Sequence, residues 1–203
     1  MDRHSIVLRA AKPTFDEGLA FAHYLDEAAE GFFRFWLGRR AAEIIATAFT
    51  QPDHDLSYQN VTFAERDNVI VGMVLGYTAE QHRRSSHEPL ERAAGRSSLR
   101  MRIVRMLFAP IMRIIDSIAD GDFYVQAIAV DTELRGDGVG SILMDSSEEW
   151  AHASGSTRLS LDVSAKNKEA RRFYEHRGMN VESQWPKRLA IPVLKFYRMT
   201  KML

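Results

Sequence analysis

One stretch constrains this chain more than any other. Val125-Gln126-Ala127-Ile128-Ala129-Val130 runs through Asp131-Thr132-Glu133-Leu134 into Arg135-Gly136-Asp137-Gly138-Val139-Gly140. A short apolar run bounded by turn residues is a buried strand. From 138 to 153, Val139, Ile142, Leu143 and Trp150 recur at helical spacing. A strand therefore feeds a glycine-rich turn at a helix start. Glycines let the backbone turn tightly and let a ligand approach the amides without a Cβ in the way. The helix end turns unpaired N–H groups and the positive end of its dipole into that turn, where an anion fits. No Gly-Lys-Ser/Thr follows, which excludes the Walker A loop, and the Gly-x-Gly-x-x-Gly spacing of dinucleotide folds is absent.

A second strand at 158–163 precedes Asn167, Ala170, Phe173 and Tyr174 on a helix spanning 168–177. Asn167 and Tyr174 are seven positions apart, and at about 100° per residue they project from nearly the same face. Asn167 either caps that helix or reaches a ligand amide, and Tyr174 is either a half-buried aromatic or a cleft residue. Phe173 turns inward with Ala170. Glycines at both helix exits, Gly155 and Gly178, favour neighbouring parallel strands in an α/β sheet.

With 203 residues, 45% hydrophobic and 27% charged, the chain can bury one sizeable core, so a single domain is expected. A formal net charge of +0 gives no reason to expect nucleic acid as the main partner. The absence of cysteine excludes disulfides, thiolate zinc sites and a cysteine nucleophile. The seven histidines are scattered and form no metal motif, and no serine sits in a Gly-x-Ser-x-Gly elbow. No apolar signal core opens the chain, and no apolar window reaches the roughly 18 to 20 residues of a membrane span. A cytoplasmic protein without a metal is expected.

Along the rest of the chain, Ile6 to Ala10 reads as a first strand. Asp16 is placed as the cap of a helix carrying Leu19, Ala22, His23 and Leu25 on its apolar side. Phe32, Phe33, Phe35 and Trp36 lie in a link between Gly31 and Gly38, before a helix at 39–49. Residues 58–64 and 69–78 form a hairpin. Residues 81–89 read as a basic loop. The helical pattern at 99–118 puts Ile103, Leu107, Ile111, Ile114 and Ile118 on one face, with Arg102, Arg105, Arg113 and Asp116 opposite and a kink at Pro110. A last strand is expected near 194–201. Residues 79–120 are taken as an insertion, either a lid with its apolar face down or a homodimer contact. The neutral net charge argues against membrane docking.

Arg135-x-x-Gly138-x-Gly140 after the strand ending Ala129-Val130 resembles the phosphate-binding motif of the GNAT acyl-coenzyme A N-acyltransferases. Asn167-x-x-Ala170-x-x-Phe173-Tyr174 is similar to that family's second motif. The motif region covers 123–178. The resemblance implies an α/β (α+β) fold with a mixed, mostly antiparallel, six- to seven-stranded twisted sheet. A parallel central pair, flanking helices and the helical insertion complete it, as one domain over 1–203. It implies acetyl-coenzyme A as co-substrate and a small-molecule amine as acceptor. The backbone of Ile128, Ala129 and Val130 would bind the pantetheine arm like an added strand. The amides of Arg135, Gly136, Asp137, Gly138, Val139, Gly140 and Ser141 would hold the pyrophosphate. Asn167 would contact pantetheine, and the Tyr174 hydroxyl would protonate the departing thiolate.

The chain departs from the family at the proton acceptor. Many members carry a glutamate on the strand before the glycine turn, where this chain has Gln126, which cannot act as a base. Asp122, on the same strand face by alternation, and Glu80 are the candidate bases, with a water chain as the alternative. For the acceptor pocket, Phe33 or Trp36 would stack on the substrate and Gln126 would face it, the other reading of the aromatics being core packing.

Overall fold

A computed structural model describes residues 6–107, 109, 117–186 and 195–203. In chain order the described elements begin with β1 (Val7–Ala10), α1 (Phe15–Ala28), α2 (Phe32–Leu37), α3 (Ala41–Phe49), β2 (Val61–Arg66) and β3 (Val69–Thr78). Three helices follow, α4 (Ala79–Arg84), α5 (Glu88–Ala94) and α6 (Ser98–Leu107). The chain then forms β4 (Asp122–Val130), α7 (Val139–Ala153), β5 (Arg158–Ser164), α8 (Lys168–His176), β6 (Asn180–Trp185) and β7 (Phe196–Met202).

The seven strands form one sheet in the order β1-β2-β3-β4-β5-β7-β6. Only β4 and β5 run parallel. Strand alternation sends side chains to two cores. On one face Met73, Leu75 and Tyr124 pack with Phe21, Leu25, Ile45 and Phe49 of α1 and α3. On the other, Val74, Phe123, Val125 and Leu161 pack with Val139 and Leu143 of α7 and Tyr174 of α8. This mixed sheet with its parallel central pair is the architecture the motifs imply.

The register along β4 carries the most consequence. Leu75 faces Ala127 and Gly76 faces Val125, so Gln126 is an extra residue in a β-bulge. Pairing with β5 runs from Asp122↔Arg158 to Val125↔Leu161 and stops there, immediately before the bulge. β5 itself stays paired to β7 as far as Ser164↔Phe196. The two parallel strands therefore part at Gln126.

Several local expectations change. Thr14, not Asp16, caps α1, its side-chain oxygen accepting from the Glu17 amide at 3.3 Å. His23 is 70% exposed rather than part of an apolar stripe. The aromatic link folds as α2. The hairpin turn places Asp67 and Asn68 at φ 53° and 62°, the two-residue turn that suits twisted strands. Residues 58–60 form a short 3-10 turn before the first arm. The basic loop at 81–89 is replaced by two helices. Thr78 and Gln81 make a reciprocal capping box for α4, and Pro89 lies in the first turn of α5. β6 lies between the second motif and the last strand, in a segment of mostly exposed residues without a core-facing alternation.

On α6, Met101 and Val104 are buried while Ile103 and Leu107 are exposed, so the face expected to turn inward turns out. Trp36 Nε1 donates to the Met101 carbonyl at 2.9 Å, and Arg100 donates to the Phe35 carbonyl at 2.7 Å, fastening α6 to α2. The expected kink at Pro110, and Ile111, Arg113, Ile114 and Asp116, lie outside the described residues. No described helix is long and apolar enough to cross a membrane.

Helices α1 and α3 cross at Gly18, where a Cβ would lie 2.7 Å from the Cα and carbonyl oxygen of Ala46. Backbone atoms cannot give way there. Gly18→Ala, which raises helix propensity by about 1 kcal/mol in an open helix, is expected to destabilise the fold by about 1–3 kcal/mol through overpacking, measured by urea unfolding.

Candidate active site

Antiparallel pairing decides which backbone groups of β4 are open. The Asp131 amide donates to Val71 at 2.9 Å, which makes that a hydrogen-bonded pair. In an antiparallel ladder such pairs alternate. Ala129 and Ala127 therefore also face β3, and Ile128 and Val130 turn their N–H and C=O groups to the other edge. That is the edge β5 has left. An extended chain can add itself there as a strand.

The opening leads to the glycine turn. Leu134, Arg135 and Asp137 donate back to the carbonyls of Asp131, Thr132 and Leu134 at 2.9, 3.3 and 3.2 Å, winding the loop. Gly136 and Gly138 sit at φ 92° and 88°, with open space where a Cβ would be. Only glycine takes both positions at no steric cost. Gly138 is the cap of α7, so the first-turn amides of Val139, Gly140 and Ser141 have no carbonyl a turn behind them. A concave set of donors with the positive helix end behind it is an anion seat. Helix α1 steadies it from one side. Tyr24 donates to Asp131 at 2.7 Å and to the Ile70 carbonyl at 3.0 Å, and Arg135 pairs with Glu27 at 2.6 Å.

The second motif meets the first at Gly140, where a Cβ would sit 3.6 Å from the Phe173 ring. Helices α7 and α8 touch there. Tyr174, the next residue, is 7% exposed, and burial raises its hydroxyl's pKa far above that of an ordinary phenol. The hydroxyl has no partner among the described residues and stays protonated, ready to donate. Asn167 Oδ1 accepts from the Ala170 amide at 3.0 Å, so the side-chain oxygen caps α8. Asn167 is exposed and Tyr174 buried, which separates their surroundings although they share a helix face.

The opposite face of the sheet carries a polar cluster. Tyr77 donates to Gln126 Oε1 at 3.1 Å, holding the bulge residue. His82 stacks on the Tyr77 ring at 5.6 Å, with Nδ1 3.0 Å from Asp55 Oδ2. Tyr124 donates to Asp162 at 2.9 Å, and Arg198 grips both oxygens of Asp162 at 2.8 and 2.7 Å. Burial first, and the Asp162 charge second, push the Tyr124 pKa well above its usual value, with Arg198 opposing. Asp162 follows the last parallel pair, so this cluster borders the parting of β4 and β5 from the α1–α3 side. Asp55, Tyr77, His82, Tyr124, Asp162 and Arg198 had no motif to mark them. They come from a loop, a helix and four strands brought together only by folding.

Other expected site residues stand elsewhere. Asp122 is buried, and Arg158 holds it through both oxygens at 2.6 and 3.0 Å. It lies at the far end of β4 from the bulge. A carboxylate neutralised in this way is an anchor for the two strands, which displaces it from the role of base. Glu80 is exposed and paired to Arg84 one turn on. Phe33 is buried against Phe32 and Trp36, and the Trp36 nitrogen is spent on α6, so these rings pack the core instead of lining an open pocket. A cavity of about 480 Å³ lies among α1, α2 and α3, lined by His23, Asp26, Glu27, Glu30, Arg34 and Ala42 among others.

The sequence matches the acetyltransferase (GNAT) family over residues 19–179. No curated protein matches it. Among solved structures it resembles an acetyltransferase at 23% identity and a TM-score of 0.67, covering 97% of this chain and 98% of that one. An N-acetyltransferase from Staphylococcus aureus Mu50 follows at 15% identity and 0.64, covering 96% and 100%. A mutant agmatine N-acetyltransferase in its apo form aligns at 16% identity and 0.58, covering 98% and 100%. At these identities the structural likeness speaks for the fold.

The buried pair gives a test of the cluster. Asp162→Asn keeps the shape but removes the carboxylate charge that grips the Arg198 guanidinium, with both side chains only 9% exposed in the native fold. It is expected to destabilise the protein by about 3–5 kcal/mol. Glu43→Gln, which breaks the exposed pair with Arg40, should cost under about 0.5 kcal/mol. Chemical denaturation of both variants measures the contrast.

Proposed function

The chain belongs to the acetyltransferase (GNAT) family, and on that premise we propose that it transfers an acetyl group from acetyl-coenzyme A to the primary amine of a small molecule or amino compound, by direct attack while both are bound. The observation that carries this reading is the parting of β4 and β5 at the Gln126 bulge, in line with the glycine turn. Ile128 and Val130 offer open-edge donors and acceptors to the pantetheine amides. The amides of Gly136 and of Gly138 to Ser141 take the pyrophosphate, those of Arg135 and Asp137 being spent on the Thr132 and Leu134 carbonyls within the loop. The neutral amine nitrogen bonds to the thioester carbon, the carbon–sulfur bond breaks, the Tyr174 hydroxyl gives its proton to the leaving sulfur, and the surplus proton on the new amide nitrogen is released and restores the phenol. Burial keeps the phenol protonated at neutral pH but also weakens it as an acid, so its proton moves only as the sulfur departs with charge. Catalysis rests on orientation more than on strong acids or bases.

The acceptor enters from the face carrying Tyr77, Gln126 and the Asp162–Arg198 pair. Its ammonium proton passes to the His82 imidazole, which Asp55 holds in place 3.0 Å from Nδ1. This takes the place of the glutamate that Gln126 replaces. The arginine pairing of Asp122 favours a second reading, an acyl-coenzyme A-binding module with little turnover.

Calorimetric titration with acetyl-coenzyme A should show binding, and an amine-library screen should show acceptor-dependent release of free thiol. Absence of binding removes the proposal, and binding without release selects the second reading. Tyr174→Phe should lower turnover by roughly 10- to 10³-fold with unchanged cofactor affinity. His82→Gln should lower kcat by about 10²-fold with KM for acetyl-coenzyme A unchanged. An unchanged kcat would dismiss His82.

A further inference from the structure

The glycine turn has little of its own to hold its shape. From Thr132 to Gly138 every residue except Leu134 is exposed. Gly136 and Gly138 have no neighbour within 4 Å of where a Cβ would stand. Glycine loses more freedom on ordering than any other residue. A turn that had to order itself around a diphosphate would bind it weakly, and a turn already ordered binds it more tightly.

The order comes from outside the turn. Leu134 packs on the α7–α8 core. Two further holds come from α1, at Tyr24 and Glu27, which lie three apart and so share one face of the helix. Tyr24 is 4% exposed and donates to Asp131 Oδ1 at 2.7 Å, where the strand ends, with its hydroxyl also 3.0 Å from the Ile70 carbonyl. Glu27 Oε1 accepts from Arg135 Nη2 at 2.6 Å, immediately before Gly136. The two contacts bracket the link from Asp131 to Arg135. The helix that makes them is itself fixed, since it crosses α3 at Gly18 with no room for a Cβ and buries Phe21 and Leu25.

Gly136 has no side chain by which its amide could be aimed. The ψ angle of Arg135, 131°, sets the peptide plane that carries the Gly136 N–H, and Glu27 holds the Arg135 guanidinium. Charge alone argues against a carboxylate here, because it repels an anion in the seat. A pair with 48% and 32% exposed side chains also adds little to the stability of the fold. What Glu27 contributes to this seat is geometry.

We propose that Tyr24 and Glu27 are positioning residues for the diphosphate. From one face of α1 they clamp both ends of the link into the glycine turn, and so fix the amides of Gly136 and of Gly138 to Ser141 before the cofactor arrives. Neither touches the reacting atoms. The inference rests on the turn being a coenzyme A seat and assigns the source of its order.

Calorimetric titration of the full chain with acetyl-coenzyme A, joined to amide exchange in the ligand-free protein, tests the clamp. Tyr24→Phe and Glu27→Gln should each weaken binding by about three- to tenfold, the range of one net hydrogen bond. The amides of Leu134 and Asp137, bonded inside the turn, should exchange faster in both variants. Those of Ala127 and Ala129 should stay slow, and thermal melting of Glu27→Gln should be unchanged. Electrostatics alone gives the opposite sign for Glu27→Gln, which removes a negative charge from beside the anion. Should Tyr24→Phe fail to fold, Glu27→Gln decides alone. Native protein that does not bind acetyl-coenzyme A removes the coenzyme A reading and this inference with it. Where the native protein binds, three results overturn the clamp alone: unchanged affinity in either folded variant, tighter binding by Glu27→Gln, or weaker binding with unaltered exchange in the turn.

Discussion

A single inserted residue organises this molecule. Without Gln126 the alternation of β4 would run uninterrupted, and nothing in its pairing would mark where β5 must leave. With it, the ladder between the parallel strands ends at Val125↔Leu161 and a strand-wide gap opens in the middle of the sheet. A sheet interior is the one place where backbone donors and acceptors are rigid, aligned and otherwise always paired. Opening it there leaves the N–H and C=O groups of Ile128 and Val130 on an edge that β5 does not pair. The Gly136 and Gly138 turn stands at the exit of the same strand, so an extended thioester arm and its diphosphate find their partners along one line.

The two sides of the gap differ electrically. Toward α7 and α8 the wall is apolar, and burial keeps the Tyr174 phenol neutral. Toward α1–α3 the sheet carries phenols, an imidazole and two buried ion pairs, Asp122–Arg158 and Asp162–Arg198. Each pair ties β4 or β7 to β5 where the gap would otherwise loosen the sheet. Both carboxylates are consumed in doing so. Proton transfer is thereby left to the phenols and the His82 imidazole.

What could be read before folding was whatever local physics dictates. The glycines at 136 and 138 announce positive φ and open amides, and the apolar spacing on α7 announces the helix behind them. The hairpin and the strand–helix–strand unit that makes β4 and β5 parallel neighbours follow from periods of two and 3.6, whereas the second unit expected to end in a parallel strand does not, because β6 intervenes and β7 joins β5 antiparallel. What escaped was set by tertiary partners. No period distinguishes the aromatic run at 32–36 as a helix, because its rings pack on one another and on α6. The capping box at Thr78–Gln81 was present in the residues but masked by their basic composition. Asp122 looked available because its arginine lies 36 positions on, in the next strand of the sheet. The outward stripe of α6 was visible as an amphipathic pattern, but which side of it the core would claim was settled by Trp36 and Met101.

Amide hydrogen exchange along β4, with and without acetyl-coenzyme A, addresses the central claim most directly. The alternation predicts that Ala127 and Ala129, bonded to β3, exchange slowly in both states. Ile128 and Val130 should exchange quickly in the free protein and become protected, together with the amides of Gly136 and of Gly138 to Ser141, once the ligand binds. Uniform protection of all four β4 amides in the free protein, or no change at Ile128 and Val130 on saturation, would contradict an open edge there.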